Sequence, residues 1–458
     1  MVEVRKVTDS IYMVQRIERL PFTIFFILIA LVTGFGLFFD IFDIDTMSAT
    51  IAVVKSLYHL NAFYTTLTIA MAFIGMFVGS LVSGYLADKF GRRSLFMITL
   101  AIIAIGSFLT ALSTNIYEIW AFRFITGFGI GGDIPVVWAY LTEMSPSRYR
   151  GMMMGIAMII GVASLPVVGI LATYFISHFP VVGWRYVFIV GAVIAVLVWA
   201  ARYYAPESPR YYLVHGNPQM AERILSEIEN RVKKHIGKEL PPYDTSKQYV
   251  LTEYRAPLRE LFRKDVIAAT TAASLLWIFQ TWGFYGFTAF LPLILIARGV
   301  TLVHAILYTA IGWAGGILGP VVVAALGERF ERRYALAIYA AGAAIFALAL
   351  AFTPINLVPL ILLFAFLVNL FIQAWAATLY TFVPELFPTR VRGTGGGFAN
   401  AMGRGFNVIG LMVVGVALAG MPAAQLTFVA LSWLACIIVL LVYRVKTSGK
   451  VLEEISEK

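Results

Sequence analysis

Long runs of apolar residues, separated by short polar stretches, dominate the hydrophobic pattern of this chain. Twelve runs are long enough to cross about 30 Å of hydrocarbon, which takes about 20 helical residues. Numbered as spans 1 to 12, they fall at 22–54, 63–87, 95–112, 116–141, 152–176, 184–204, 266–297, 303–326, 334–353, 357–383, 395–418 and 426–443. The pattern therefore predicts an all-α membrane protein with twelve transmembrane helices.

Two short motifs occur once in each half of the chain. The pattern Glu-x-x-Pro-x-Arg-x-Arg-Gly begins at Glu143 and again at Glu385, 242 positions later. A second charged motif begins at Asp88 and returns at Glu328, at an offset of 240. Because a long, constant period marks a duplicated structural unit, we predict two six-helix bundles related by a pseudo-two-fold axis.

The longest polar stretch lies between the two halves. It divides the chain into an N-terminal six-helix bundle at 1–205, a cytoplasmic linker at 206–264, and a C-terminal bundle with a short cytoplasmic tail at 265–458. In the linker, Asn217 and Gly237 have the residue types of helix caps and enclose an apolar stripe. We expect an amphipathic helix beneath the bundles, with a loosely ordered linker as the alternative.

Composition agrees with a membrane protein and narrows the function classes. Hydrophobic residues make up 60% of the 458 positions and charged residues 13%, whereas a soluble domain has about 25% charged residues. The single cysteine, Cys436, excludes a disulfide framework, and no Cys/His cluster has metal-ligand spacing. With no nucleophile and base or phosphate-binding loop visible, we expect no enzyme activity, cofactor or metal.

Basic residues lie almost entirely on one side of the predicted spans. Of 35 Lys and Arg, Lys55, Arg185 and Arg298 fall in loops on the other side, and Arg123 and Arg404 fall inside spans. The positive-inside rule places the remaining 30, and both termini, in the cytoplasm. This distribution explains the net charge of +10 without a nucleic-acid partner. The first twenty residues lack a signal-peptide cleavage site, so we predict a multi-pass protein of the cell membrane that keeps span 1.

Several of these stretches resemble the major facilitator superfamily of transporters. The stretch from Gly84 to Arg93, between spans 2 and 3, is similar to the family's loop signature, and the resemblance covers nearly the whole chain. The Pro-Glu-Ser-Pro-Arg sequence at 206–210 resembles the sugar-porter-like branch. The stretches 128–135 and 403–405 are similar to organic-ion and synaptic-vesicle-protein-like members. The resemblance implies transport by alternating access around a central site.

The same resemblance implies networks of charged side chains at the cytoplasmic ends of the helices. The residues concerned are Asp88, Arg92, Arg93, Glu143, Arg150, Glu207 and Arg210, with Glu328, Arg332, Glu385 and Arg392 in the second half. Pairs that form only while the bundles are closed on this side stabilise one of two conformations. We therefore expect a cytoplasmic gate. The alternative is that these are solvated charges that set topology.

Charged residues inside the spans are candidates for function, because each costs about 2.5 to 3.5 kcal/mol at a helix centre on insertion scales. Asp40 and Asp43 lie three residues apart and share a helix face, whereas Asp45 points roughly opposite to Asp43. Asp133 follows a glycine-rich stretch in span 4. We regard Asp45 as the weakest candidate.

The resemblance gives some of these charges a role. Asp43 aligns with the helix 1 aspartate that carries the proton in proton-coupled sugar-porter-like members, and Arg123 aligns with its helix 4 partner. We predict that Asp43, Arg123, Asp40 and Asp133 take part in proton coupling. Two alternatives stay open. Asp43 lies far along span 1 and could be a solvated carboxylate at the outer mouth, and Asp133 could pair with a neighbouring helix for structural reasons.

Arg404 is the strongest candidate for binding substrate. It has no counterpart in the first half, where Val162 occupies the equivalent position. A guanidinium can hold a carboxylate or phosphate by two parallel hydrogen bonds, although structural pairing with an aspartate is the alternative. Further polar and aromatic residues could line the site: Trp138, Gln280, Tyr285, Gln373, Trp375, Tyr380, Asn400 and Asn407.

Departures from the sugar-porter pattern restrict the substrate. Sugar porters are expected to carry a paired-glutamine stretch in helix 7 and Gly-Pro-x-Pro-Trp in helix 10, but this chain has Phe-Gln-Thr-Trp at 279–282 and Gln-Ala-Trp-Ala at 373–376. We therefore expect a monomeric symporter for protons and a small organic anion or metabolite. Sugar or phosphate symport is the alternative, followed by a transporter-like sensor that moves no solute.

Overall fold

Nearly every described residue of the computed structural model lies in a helix or a short connection between helices. The structure describes residues 15–203, 205–214, 217–242, 258–326, 331–388 and 391–443, without the side chains of 84, 85, 87–89, 210, 214 and 326. Within those ranges it contains no β-strand. Six long helices form the first half: α1 Ile24–Leu57, α2 Ala62–Phe90, α3 Arg92–Leu112, α4 Ile116–Met144, α5 Ser147–His178 and α6 Gly183–Arg202.

The second half repeats this arrangement after two linker helices. The elements are α7 Pro209–Val214, α8 Pro218–Ile236, a 3-10 turn Leu258–Phe262, α9 Ile267–Thr288, α10 Leu291–Ala297, α11 Leu302–Leu326, α12 Arg332–Phe352, α13 Val358–Glu385, α14 Arg392–Met412, a π-helical turn Val413–Ala417 and α15 Pro422–Val442. Among the described residues, eleven helices are long and apolar enough to cross a membrane, and α9 with α10 makes a twelfth.

Span 7 differs from its prediction as one continuous helix. The structure breaks it into α9 and α10, which are bent by 51° relative to each other. Pro292 lies in the first turn of α10, where a missing N–H is tolerated, whereas inside a continuous helix its ring would clash with the preceding turn. The hydrophobic run alone did not reveal this break because both pieces are apolar.

The helix boundaries reproduce the sequence repeat. Helices α4 and α13 begin at Ile116 and Val358, 242 positions apart, and α3 and α12 begin at Arg92 and Arg332, 240 positions apart. These are the two offsets of the repeated motifs. The chain therefore forms two six-helix bundles related by a pseudo-two-fold axis.

Glycines bring α2 and α4 into backbone contact inside the N-terminal bundle. Gly75 and Gly79 on α2 lie against the backbone of α4, and Gly127 and Gly131 on α4 lie against the backbone of α2. A Cβ at any of the four would overlap a carbonyl oxygen of the other helix. Small residues spaced four apart allow such close approach in membranes, where packing rather than hydrophobicity drives association.

Replacing Gly131 with Ala is expected to destabilise the protein by about 1 to 3 kcal/mol, the usual penalty for overpacking. The added methyl group would meet the backbone of α2, which cannot rotate away as a side chain can. Thermal unfolding in detergent should show a lower melting temperature. Gly155→Ala on α5 is the matched control, because no atom lies within 4 Å of its added Cβ, so an equal loss in both variants would contradict this explanation.

The charge of the loops distinguishes two sides of the bundles, which we call the neutral side and the basic side. The neutral side holds the helix ends at Leu57, Leu112 and His178, and the basic side holds those at Phe90 and Met144. The basic side carries the linker and the arginine-rich motifs.

The two bundles meet along two seams, α5 with α11 and α2 with α14. Towards the neutral side, a Cβ at Gly169 would overlap Ala310, and one at Gly415 would overlap Thr66. The bundles are thus in close contact at this end.

The linker helix α8 is attached to the N-terminal segment by ion pairs. The guanidinium of Arg16 donates to Glu222 at 2.5 Å and to Glu229 at 2.6 Å, and Arg19 donates to Glu229 at 2.6 Å. Burial alone would raise the pKa of Glu229, but hydrogen bonds from the two arginines outweigh burial and hold the pKa below its ordinary value. A depressed pKa stabilises the folded state at neutral pH, and that contribution is lost as acid protonates the carboxylate.

Candidate functional site

Asp43 and Arg123 form a buried ion pair between α1 and α4. One guanidinium nitrogen of Arg123 donates to Asp43 Oδ2 at 2.7 Å and the other to Oδ1 at 3.2 Å. Both side chains are completely buried. Thr110 accepts from the guanidinium at 3.4 Å, and the Phe188 ring lies 4.7 Å from its central carbon. The pair is therefore bidentate, which fixes both direction and distance.

Asp43 lies well inside the long helix α1. The helix has 34 residues, about 51 Å at 1.5 Å per residue, and so exceeds the hydrocarbon thickness. Asp43 lies about 29 Å from its first residue and about 21 Å from its last. The alternative of a solvated carboxylate at the outer mouth is wrong because the side chain of Asp43 is completely buried and paired with Arg123.

A second buried ion pair joins α4 to α6. Arg202 donates to Asp133 Oδ1 at 2.8 Å and to Oδ2 at 3.0 Å, and the Thr99 hydroxyl donates to Oδ1 at 2.7 Å. Gly36 on α1 leaves room for the guanidinium, which a Cβ there would overlap. The Phe96 ring lies 4.8 Å from it. Sequence reasoning missed Arg202, which was counted among the solvated charges of the basic side.

Asp40 lies on α1 beside this second pair. Its side chain is fully buried, and no described donor reaches either carboxylate oxygen. The charged groups that act on it are Asp133 and Arg202 first, and Asp43 more weakly. Since Arg202 is already engaged by Asp133, Asp40 shares a counterion instead of having its own.

Arg404 occupies the seam between α14 and α2. Its Nε donates to Asn400 Oδ1 at 3.0 Å, and Nη1 lies 3.8 Å from the sulfur of Met76. The hydroxyl groups of Tyr285 and Tyr380 lie close enough to interact with the guanidinium. The side chain is 7% exposed, and no carboxylate of the described residues lies within ion-pair distance of it. Among the described residues, Arg404 therefore does not form the structural pair with an aspartate that was the alternative.

Aromatic rings from both bundles meet around Arg404. Trp138 lies 5.6 Å from Tyr380, Trp277 lies 5.1 Å from the same ring, and Phe73 lies 4.4 Å from Tyr285, all between ring centroids. Trp277 and Phe73 were not predicted. Some polar atoms here have no partner among the described residues: the indole nitrogens of Trp138 and Trp277, Gln280 Oε1, and both amide atoms of Asn407.

Two predicted lining residues on α13 differ in their surroundings. Trp375 packs against Trp433 at 5.5 Å inside the C-terminal bundle, and Gln373 lies against Gly316 and Gly319 of α11. Residues two apart on a helix point in different directions, so the two could not both face Arg404. Trp375 belongs to the core.

The predicted gate residues form contacts at the basic side. Arg92 donates to Glu143 at 3.1 Å, and the backbone N–H groups of Arg92 and Arg93 donate to Glu207 at 3.1 Å. Burial raises the pKa of Glu207, although these backbone hydrogen bonds oppose the shift. Both sets lie on the N-terminal bundle and the adjacent start of the linker.

The second half carries the equivalent contacts. Arg332 pairs with Glu385, and Arg392 donates to the carbonyl of Pro384 at 3.2 Å, all within the C-terminal bundle. Arg150 lies in the first turn of α5. Glu328 and the side chains of Asp88 and Arg210 lie outside the described part of the chain. A gate that joins the two bundles at this end stays a prediction.

Comparisons with known proteins agree on one family. Residues 26–458 match the family model described as sugar (and other) transporter. The niacin transporter NiaP of Acinetobacter baylyi is 30% identical, over 97% of this chain and 99% of that protein. The inner membrane metabolite transport protein YdjE of Escherichia coli is 28% identical, over 96% and 98%.

Solved structures share the fold. The inward-open xylose transporter XylE of E. coli matches with a TM-score of 0.74 at 21% identity, covering 94% of this chain and 99% of that one. A related structure of the proton:xylose symporter carries the name of the major facilitator superfamily. The chain therefore belongs to the sugar (and other) transporter family and is a multi-pass membrane transporter.

Proposed function

We propose that this transporter couples proton movement to the uptake of a small organic anion by alternating access. The observation that carries the proposal is Arg404, a guanidinium that lies between the bundles with no carboxylate of the described protein beside it. A charged group at such depth is rare unless it serves function.

The surroundings of Arg404 favour an anion over an uncharged solute. Burying an unpaired charge is costly, and a substrate carboxylate or phosphate would remove that penalty through two parallel hydrogen bonds. The π-faces of Tyr285 and Tyr380 suit a compact, partly apolar body. Niacin, which a 30% identical relative is named for transporting, is a ring that carries a carboxyl group.

The buried acids on α1 and α4 supply a route to proton coupling. Asp43 has its own arginine, whereas Asp40 is buried without a donor beside a pair that already includes Asp133. Desolvation and neighbouring charges make proton affinity depend on conformation. One proton moving down about 100 mV provides about 2.3 kcal/mol, enough for roughly fifty-fold accumulation.

The distribution of basic residues supports uptake as the direction of transport. With the basic side in the cytoplasm of a plasma membrane, both termini lie inside and the neutral side faces outward. Protons moving inward would then drive uptake.

Uptake by the purified protein in liposomes tests the proposal. With an inward proton gradient, we expect nicotinate or another small carboxylate to accumulate above its equilibrium level, and a proton ionophore to abolish the accumulation. Inorganic phosphate and D-xylose serve as comparison solutes. Gln280 Oε1 and both amide atoms of Asn407 have no partner among the described residues and could bind sugar hydroxyls. Uphill uptake of xylose with no uptake of carboxylates would therefore replace this proposal with sugar symport.

A further inference from the structure

Asn407 on α14 is a buried amide that its own helix leaves unsatisfied. The side chain is fully buried, and neither Oδ1 nor Nδ2 has a partner among the described residues. Another buried asparagine shows the usual local solution, because Nδ2 of Asn369 donates to the carbonyl of Ala365, one turn earlier, at 3.2 Å. The equivalent carbonyl for Asn407 is that of Gly403, and it already accepts from the hydroxyl of Thr281 at 3.0 Å.

The packing of α14 places Asn407 on the same face as Arg404. Gly403 packs against α9, and Gly405 packs against α2 on another side of the helix. Phe406 is exposed, which marks the lipid-facing side. The remaining face carries Arg404 and Asn407, which are three residues apart and both buried. Their Cβ atoms are therefore neighbours, about 5 to 6 Å apart, in the seam between the bundles.

The free amide of Asn407 sets a requirement for a ligand. Burying an amide without hydrogen bonds is unfavourable, and an amide cannot reduce that cost by taking up a proton, as a carboxylate does. Its oxygen accepts and its NH2 group donates, so a group that satisfies both atoms must itself donate and accept. A hydroxyl or a carboxamide does so without charge, whereas a cation is disfavoured beside Arg404. The ring nitrogen of nicotinate only accepts and would satisfy the NH2 group alone.

We propose that Asn407 selects carboxylates that also carry a hydroxyl or carboxamide group, with the carboxylate on Arg404 and the uncharged group on Asn407. This inference rests on the proposed function, because it takes Arg404 as the anchor for the anion. It narrows the substrate from small organic anions to those with a second, uncharged polar group. The two side chains lie about one helical turn apart, so the two groups of the ligand need a comparable separation, as across a benzene ring.

Shape-matched probes test the inference on the purified full chain. 3-Hydroxybenzoate is compared with 3-methylbenzoate, and 4-hydroxybenzoate with 4-methylbenzoate, because hydroxyl and methyl groups are similar in size. At neutral pH we expect the hydroxyl compound of at least one pair to bind about tenfold more tightly, since it relieves an unpaired amide. Isothermal titration in detergent measures the four dissociation constants. Equal affinities within both pairs would overturn the inference.

Variants at Asn407 assign the preference to that side chain. Asn407→Leu should weaken the hydroxyl compound about tenfold and leave the methyl compound nearly unchanged. Its melting temperature should not fall, because an apolar side chain replaces an unsatisfied amide. If Asn407→Leu does not fold, Asn407→Ala, which adds no volume, is measured in its place.

Asn369→Leu is the matched control for these variants. That amide is also fully buried, but its NH2 group already has a partner in its own helix. The control should keep the preference for the hydroxyl compound. A preference that survives the loss of Asn407, or that disappears equally in the control, is contrary to the inference.

The same titrations distinguish this inference from the proposed function. Hydroxyl and methyl compounds that bind equally well, and that both require Arg404, would remove only the role of Asn407. Absence of binding by every carboxylate would remove both.

Discussion

Replacing Arg404 with Leu is expected to abolish carboxylate binding, with a loss of affinity of about 100-fold or more, while the empty protein keeps or gains stability. Two charge-assisted hydrogen bonds account for a loss of that size. Stability should not fall, because the wild-type guanidinium is buried without a described carboxylate partner and replacing it with an apolar side chain removes a desolvation penalty. Titration of nicotinate and thermal unfolding in detergent measure the two quantities.

Two further variants sharpen this test. Arg404→Lys keeps the charge but loses the planar fork, and we expect it to recover binding only in part. Arg223→Leu, on the exposed face of the linker helix, is the control for removing an arginine and should change neither quantity. An Arg404→Leu protein that binds nicotinate normally and melts at a much lower temperature would show that the arginine has a structural role.

Replacing Asp43 with Asn is expected to abolish uphill uptake and to leave exchange of substrate across the membrane intact. Asparagine can still accept a hydrogen bond from Arg123, so the contact between α1 and α4 is kept in part, but it cannot carry a proton. Leaving Arg123 without its counterion should also lower stability by about 3 kcal/mol. Proteoliposomes report both activities, as accumulation under a proton gradient and as counterflow without one.

The control for this variant is an acid outside the membrane. Glu227→Gln removes a carboxylate from α8 that is half exposed and pairs only with Arg223 among the described residues, and it should accumulate substrate as the wild type does. Gradient-driven accumulation by Asp43→Asn would instead assign the proton to another acid, and Asp40→Asn is then the variant to measure.

Helix positions followed from the sequence because the hydrophobic pattern is local. The twelve spans, the repeat and the linker helix each depend on residues close in the chain. The depth of a residue within the membrane was harder to predict from the sequence, and Asp43 is an example. The distance of Asp43 from the start of span 1 can be counted from the sequence. The extension of α1 to Leu57 depends on other helices, and so does the position of Arg123 beside Asp43.

The residues that the sequence did not reveal are those whose partners come from distant helices. Arg202 lies in the last turn of α6, where an arginine usually reaches water, yet here it turns inward to Asp133. The signal was present on the other side of the pair, since an aspartate inside a membrane span usually pairs with another charged group. Asp45, which points away from Asp43, is also buried, because α1 is covered on both faces.

The contact between Trp138 and Tyr380 has a consequence for the origin of the protein. These residues are 242 positions apart and occupy equivalent places in the two repeats, yet their rings touch. In a symmetric dimer, only a residue on the two-fold axis meets its own copy. Before the gene fused, one aromatic side chain would therefore have faced itself across that axis, and any substitution there changed both partners at once. Fusion freed the two positions to differ, as Trp and Tyr now do.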